Sequence, residues 1–455
     1  MFRDPVLIGR AQELDHLRQA LASTLAGRGT LVGLVGDAGV GKTHLGTVLA
    51  REAEAAGCVV AWGRCRESDG APAFWPWTQA LATIDRAYSD AGVSAVLSRA
   101  HGTADLLASL ATSRVTLFAQ VGGALLDLAR TRPLVVVLDD LHRADLPSLR
   151  LLAWLAHDAA SAPLLVVATW RDGEVRRDPE RESVLAEVAR AGRILLVGGL
   201  GAVEVGNLLR TRLGDDLDPR LPQAVAELTG GNPFFVLEVA SMLAGSSRRS
   251  VDDLARLPSS AGVRGMVRQR FDAMPAPTVE TVQAAAVLGR EFDVTVLAAM
   301  VGCGVEDAVA RLAPAERLGL LHTDPAALRR YVFAHALVRD TIYDLLPATE
   351  IAPLHRRAAE AVVATAGASL DAVLTTVSHH HFEAARGGDA RDAAAWSARA
   401  ARQSLSRLAF EDAVVCFERA LQALDCVADA DPAERTDVTM GLAEALAGAG
   451  RHDRA

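Results

Sequence analysis

Residues Gly36 to Thr43 read GDAGVGKT and satisfy G-x-x-x-x-G-K-[ST] at every fixed position. With this chain's glycine and lysine frequencies a chance match has a probability below about one in a thousand. The flanks fit the motif. TLVGLV (Thr30 to Val35) has the apolar run of a buried strand, and HLGTVLAREAEAA (His44 to Ala56) has the apolar spacing of a helix. A strand that feeds a glycine-rich turn and then a helix aims backbone N–H groups and the positive helix end at one point, a seat for a triphosphate. Gly36, Gly39 and Gly41 permit the wrap, Lys42 is placed to bridge the β- and γ-phosphates, and the Thr43 hydroxyl to ligate Mg²⁺. Of the 47 basic residues, Lys42 is the only lysine. A sole lysine among arginines marks a place where a compact ammonium is needed and a planar guanidinium does not fit.

Such a magnesium site calls for a carboxylate at the end of a neighbouring parallel strand. RPLVVVLDDLHRAD supplies it: Leu134 to Leu138 is wholly apolar and ends on Asp139 and Asp140. Asp139 is positioned to hold the hydrated metal, and Asp140 to orient or deprotonate an attacking water. Helix capping need not explain the pair, because Asp145 before Leu146-Pro147 already provides a helix-start signal. A third buried strand, Ala162 to Trp170, runs into Arg171; by spacing this residue is either a sensor of the γ-phosphate or a solvated arginine at a loop start. Arg193 to Gly198 reads as one more strand. The expected core is an α/β P-loop NTPase fold, a parallel sheet with helices on both faces, over residues 1–200.

Composition narrows the remaining choices. A chain of 455 residues, half of them apolar, is too long for one core and long enough for about three. A net charge of −9 without a basic tract disfavours a general nucleic-acid or anionic-membrane binder. The start, MFRDPVLIGR, has no apolar export segment, and stretches such as Leu134 to Leu138 fall far short of the roughly 20 residues a membrane span requires. Five cysteines without a C-x-x-C pair argue against a disulfide framework or a zinc module and fit a reducing cytoplasm.

VLIGRAQELDHL, GDAGVGKT, GRCRESDGAPAFWPW, LDDLHRAD, LLVVATWRD, TGGNPFF and FAHALVRDTIY follow one another along the chain. In this order they resemble the STAND class, signal-transduction ATPases with numerous domains. More narrowly, they resemble the large ATP-binding LuxR-type transcriptional regulators of actinobacteria and the ATPase modules attached to some bacterial cyclases. The resemblance implies ATP or ADP with Mg²⁺ as ligands. It implies that Gly9 and Arg10, with Glu13, border the adenine; from the residues alone they are a strand-to-helix turn. It makes Arg171 the sensor arginine and lets Pro233, in Gly231-Asn232-Pro233, pack on the base, although Gly230 and Gly231 before Pro233 also read as a helix C-terminus. His335, in FAHALVRD, aligns with a winged-helix histidine that contacts the bound diphosphate, or else is a packed core residue. Relatives usually carry tryptophan where this chain has Arg143.

The remaining organisation follows the same pattern: a helical lid over 201–250 with an exposed linker at Gly245 to Ser250, a winged-helix region over 251–350, and TPR-like helical repeats over 351–455. Arg264, Arg268 and Arg270 are too few for a groove-reading surface, so direct DNA binding by this chain is not expected. Trp396 to Leu424 fits a repeat hairpin with Phe417, Ala420 and Leu421 inward. EDA at 411–413 recurs as DRA at 453–455, which leaves the chain stopping inside a repeat, as a truncated gene or a fragment of a longer regulator would. His379, His380 and His381 are consecutive, and neighbours on a helix diverge by about 100°, so they cannot converge on one metal and read as structural. Cys58 and Cys65 read as structural.

The expected function is an ATP-driven switch with slow hydrolysis, an unidentified inducer or protein partner on the repeats, possible nucleotide-dependent self-association and a transcriptional output. The rivals are an AAA-type turnover ATPase that remodels a partner, with an arginine finger from a neighbour, a cyclase-associated regulatory module, and a non-enzymatic scaffold that retains nucleotide in order to fold.

Overall fold

The computed structural model describes residues 8–65, 72–88, 92–94, 107–176, 178–244, 250–251, 254, 262–324, 327–388 and 390–451. The expected linker at 245–249, the repeat match at 453–455 and residues 66–71 of the GRCRESDGAPAFWPW stretch lie outside them.

Five parallel strands form the first sheet: β1 (Thr30–Val35), β2 (Val59–Arg64), β3 (Leu134–Asp139), β4 (Leu164–Trp170) and β5 (Arg193–Leu196), in the order β2-β3-β4-β1-β5. Every residue of β3 and β4 is buried, as the near-continuous apolar runs of a sheet covered on both faces require, with Asp139 and Thr169 their only polar members. Alternate residues of β1 serve the two layers. Leu31 and Val35 join the core with Trp77, Leu81 and Leu152, and Val32 and Leu34 join the core with Leu17, Leu45 and Leu49. The P-loop NTPase fold expected from the sequence is thus present, and the helix after the glycine loop spans Lys42–Ala55. Asp145 caps the helix Leu146–Asp158, accepting from Ser148 N at 2.8 Å, so the capping duty assigned to it leaves Asp139 and Asp140 free for the strand end.

Past β5 the chain packs the helices Ala202–Leu213, Leu221–Thr229 and Pro233–Leu243 around their own small core of Leu209, Leu221, Val225, Val236 and Leu243. A further unit, from 262 to the helix Ala336–Asp344, combines helices with a short antiparallel sheet of β6 (Glu291–Asp293), β7 (Leu321–Thr323) and β8 (Arg330–Phe333) in the order β6-β8-β7. Phe292 stacks on Tyr331 at 5.9 Å to seal it. Of the arginines singled out here, Arg270 pairs with Glu238 of the preceding helices and Arg268 with Asp272 at 3.7 Å, so both face carboxylates.

The C-terminal part is all helical. Ala390–Ser406 and Phe410–Leu424 form an antiparallel hairpin whose contact face is alanine (Ala394, Ala398, Ala401, Ala413, Ala420), which lets the backbones approach closely. Phe417 and Phe410 then press on Gly441 and Gly448 of the helix Pro432–Gly448: a Cβ there would lie 2.4 Å from Phe417 and 2.5 Å from Phe410. The hairpin docks back onto the nucleotide-fold helices. Glu411, buried, accepts from Arg114 at 3.0 Å and pairs with Arg150, while Arg451 pairs with Glu180.

Removing a buried carboxylate that faces two cations unbalances the joint: Arg150 keeps Glu180 at 2.8 Å, and Arg114 loses this carboxylate. Glu411→Ala is therefore expected to speed amide exchange across 410–448 by about tenfold, equal to ~1.4 kcal/mol of local opening. Unchanged exchange there would show that the docking does not depend on this contact.

Candidate nucleotide site

Gly39 and Gly41 hold φ of 78° and 105°, a left-handed conformation that side chains resist, and the loop between β1 and its helix curls through them. Lys42 is folded back into that curl: its Nζ donates to the carbonyls of Gly36 and Asp37, both at 2.8 Å. The side chain is 6% exposed, and burial pulls its pKa down to about 8, with Arg171 pushing the same way and Asp140, Asp139 and Asp37 opposing.

Opposite the loop, Asp139 is buried at the end of β3. It accepts from the Thr43 hydroxyl at 3.0 Å and from the Thr169 hydroxyl at 2.6 Å. Burial, and then the adjacent Asp140, raise its pKa. A buried carboxylate raised by desolvation and touching a threonine hydroxyl is a donor set that an oxygen-seeking dication fits, since such an ion restores the lost solvation to both oxygens. Thr43 and Asp139 are thus brought together as the sequence predicted. Asp140 takes φ 61°, which turns its side chain off the line of the strand, and its N–H donates to Thr169 Oγ1 at 2.9 Å.

A cationic ring surrounds this point. Arg171, 11% exposed, donates to Glu174 at 2.6 Å. His335 lies against the loop, with its Nε2 2.9 Å from where a Cβ on Gly39 would be, and stacks on Phe234 at 4.2 Å. Burial, then Arg290, Arg171 and Lys42, pull its pKa to about 3. His142 is driven to about 2 by burial and then by Arg171, Arg143, Lys42 and Arg181, and neither of its ring nitrogens has a hydrogen-bond partner. Two histidines depressed by the same Lys42 and Arg171 report a concentration of positive charge suited to a polyanion. Arg143, the position noted as a departure from relatives, stands beside Glu174 at 3.7 Å, away from the metal-type contacts.

The turn Gly9-Arg10 sits at the base of the loop. Arg10 is buried, reaching Val40 O at 3.0 Å, Gly198 O at 2.5 Å and Glu13 at 3.0 Å, and a Cβ on Gly9 would strike Glu204 at 2.4 Å. Gly36 approaches Val197 just as closely, 2.2 Å from its carbonyl oxygen to a Cβ. Pro233 opens the helix Pro233–Leu243 beside the loop.

Sequence reasoning missed several members. Asn232 caps that helix through Phe234 N and also donates to Ala38 O at 2.7 Å, linking the helix Pro233–Leu243 to the loop. Thr169 organises both aspartates; its signal was a lone hydroxyl in an apolar strand. Arg290 arrives from the unit carrying β6 and stands 3.5 Å from Asp140. No local pattern marked it, because the contact joins residues 150 positions apart. Below the aspartates opens a cavity of about 480 Å³, walled by Thr43 and Asp140 of the nucleotide fold, by Arg290 and His322, and by Val373 and His380 of the C-terminal helices.

Residues 6–167 match the family described as AAA ATPase domain. An uncharacterized protein of Rhizobium meliloti is 26% identical over 94% of this chain, and the chain spans 44% of that relative's length. Among solved structures, the chain is similar to a Signal Transduction ATPase with Numerous Domains (STAND) protein with a tetratricopeptide repeat sensor from Pyrococcus horikoshii. The two share a TM-score of 0.57 at 12% identity, over 99% of this chain and 63% of that one. That likeness establishes the fold: a P-loop NTPase sheet followed by a large helical region.

Because Lys42 is the only lysine, its titration can be read without assignment ambiguity. After reductive methylation with ¹³C, the one side-chain amine resonance absent from Lys42→Met should titrate near pH 8 and move upward when inorganic tripolyphosphate is added. Between pH 8 and about 10.4 the unfolded chain retains a proton the folded chain has shed, so folding stability should rise with pH across that window. A midpoint near the ordinary lysine value, indifferent to tripolyphosphate, would contradict the buried placement.

Proposed function

We propose that this chain is a nucleotide-gated switch: an ATPase unit that binds Mg-ATP, hydrolyses it slowly and passes its nucleotide state to the helical repeats. The observation that carries the reading is the environment of Gly39. Asn232 and Phe234 from the lid and His335 from the following unit all stand within 3.0 Å of a Cβ placed there, so one loop is touched by both later parts of the chain. A phosphate that reshapes that loop changes both contacts together, the differential interaction a switch needs. Lys42 would meet the β- and γ-phosphates, Thr43 and Asp139 would hold Mg²⁺, Asp140 would orient the attacking water, and Arg171 would sense the γ-phosphate. Gly9, Arg10 and Pro233 would border the adenine, with Gly36 and Gly41 shaping the cradle. The bound Mg²⁺ would supply charge neutralisation on the phosphates.

Arg290 fits the same scheme. It neutralises Asp140 from within the chain, so the candidate water-orienting carboxylate is masked while the later unit is closed on the nucleotide fold. This intramolecular arginine favours a switch over a ring ATPase that borrows an arginine from its neighbour. The STAND protein with a tetratricopeptide repeat sensor supports a sensing role for the repeats here. By the resemblance of the motifs, the output would be transcriptional.

Nucleotide binding and turnover test the reading. The purified chain should bind ADP and ATP with Mg²⁺ and release phosphate at or below about 10⁻² s⁻¹ without an effector, the range of slow P-loop switches; brisk turnover would refute it. Lys42→Ala should lose nucleotide, and Asp140→Asn should keep nucleotide but lose about 10²-fold or more in phosphate release. His335→Ala should speed ADP dissociation by about tenfold, within the usual span of coupling energies. An unchanged ADP off-rate would remove His335 from the clamp.

A further inference from the structure

Where the sheet-bearing unit meets the repeats, three imidazoles from two consecutive helices converge. His355 lies on the helix Ala348–Ala366, and His379 and His380 lie on Leu374–Ala384. The divergence of neighbours on one helix argues against a metal held by the histidine run alone. His355 overturns that exclusion by supplying a shared centre from the facing helix. One ring nitrogen of each histidine lies within 4.8 Å of the other two, and the Nδ1 atoms of His355 and His380 are 3.0 Å apart. The three ring centroids are 5.1 to 5.7 Å from one another. Nitrogens bound to one tetrahedral zinc at ~2.0–2.1 Å are about 3.3 Å apart, so His355 and His380 already stand at ligand spacing. His379, half-buried, completes the set by rotation about its side-chain bonds.

The surroundings match a metal centre in two further respects. The Tyr343 hydroxyl lies 3.0 Å from His355 Nε2; with Nδ1 on a metal, Nε2–H would donate to that hydroxyl, an outer hydrogen bond that orients the ring. His380 is buried yet lines the 480 Å³ cavity, and its Nε2 has no hydrogen-bond partner, which gives an ion an approach from solvent. The cations nearest the cluster are already compensated: Arg339 donates to Ala286 O at 2.7 Å and pairs with Asp340 at 3.2 Å, and Arg386 faces Glu383 at 3.6 Å. His381, the third of the run, instead stacks on Trp396 at 5.7 Å and stands outside the cluster.

We propose that His355, His379 and His380 form a binding site for a divalent transition metal of the zinc class, which staples the helix Ala348–Ala366 to the helix Leu374–Ala384. An all-imidazole donor set selects zinc, cobalt, nickel or copper over magnesium and calcium, and three protein ligands leave the fourth position to water or a small ligand from the cavity. The inference is independent of nucleotide.

Untagged full-length chain, stripped with EDTA and titrated with Co²⁺, provides the test. The expected result is one equivalent of Co²⁺ with the intense visible absorption of four-coordinate cobalt. Stoichiometric Zn²⁺ should displace it and excess Mg²⁺ should leave it in place, and Zn²⁺ should raise the thermal midpoint of the stripped protein by about 5 °C. His355→Gln and His380→Gln should lose the band, and His381→Gln should keep it. A wild-type chain without that band, or with only the weak absorption of an oxygen-ligated octahedral ion that Mg²⁺ competes away, overturns the proposal without recourse to any variant. A band that survives in His355→Gln overturns it equally.

Discussion

Lys42 carries a positive charge to a place that water does not reach. An ammonium in that position is tolerable only if fixed dipoles replace its hydration, and the carbonyls of Gly36 and Asp37 do so. For both carbonyls to face one point the loop must curl, and the curl demands left-handed backbone at Gly39 and Gly41. The depressed pKa of Lys42 measures how incomplete the substitution is: two neutral oxygens compensate a buried charge less well than a polyphosphate would. On the proposed reading, the loop is built around an unmet electrostatic demand, and its shape lets neighbouring segments detect whether that demand has been met.

Those neighbours are fixed by the same geometry. Arg10 holds the base of the loop through Val40 and ties it to Gly198, where the chain leaves the sheet for the lid; Asn232 holds the crest through Ala38 and caps the next helix with the other end of its amide. Each residue spends its hydrogen bonds on both the loop and the segment that follows. A displacement of the loop cannot leave either segment where it was without orphaning a buried donor, at a cost of about 1–3 kcal/mol.

The parts of this design that were legible in the sequence are those whose physics is local. β1, β3 and β4 announced themselves as nearly continuous apolar runs because strands covered on both faces leave few polar positions to vary, and the polar residues in β3 and β4, Asp139 and Thr169, belong to the site. The glycine loop and the meeting of Thr43 with Asp139 were legible because the motif restricts residue type and spacing together. Asp145 was read correctly as a cap for the same reason. The contacts that join units were not legible. Arg290 beside Asp140, Glu411 between Arg114 and Arg150, and His355 between His379 and His380 each pair residues of ordinary type whose partner is set only by how helices dock. The histidine run shows the difference well: helical divergence is a sound argument about one helix, and it fails once a second helix contributes a ligand.

The inter-unit contacts also differ in strength, and the difference bears on what can move. Glu411 is buried between two arginines, and that joint resists opening because separation strands a desolvated charge. Arg290 and Asp140 are each partly exposed, 27% and 17%, and stand 3.5 Å apart, the kind of pair that contributes under about 1 kcal/mol. His335 rests against the loop, stacked on Phe234, and is held neutral by burial and then by the surrounding cations, so it adds no ion pair to break. A two-state device needs its states within a few kcal/mol of one another, so that a phosphate can tip the balance. On the proposed reading, the surface around Arg290 and His335 is weak enough to yield to one bound anion, whereas the joint at Glu411 is strong enough to carry the consequence into the repeats.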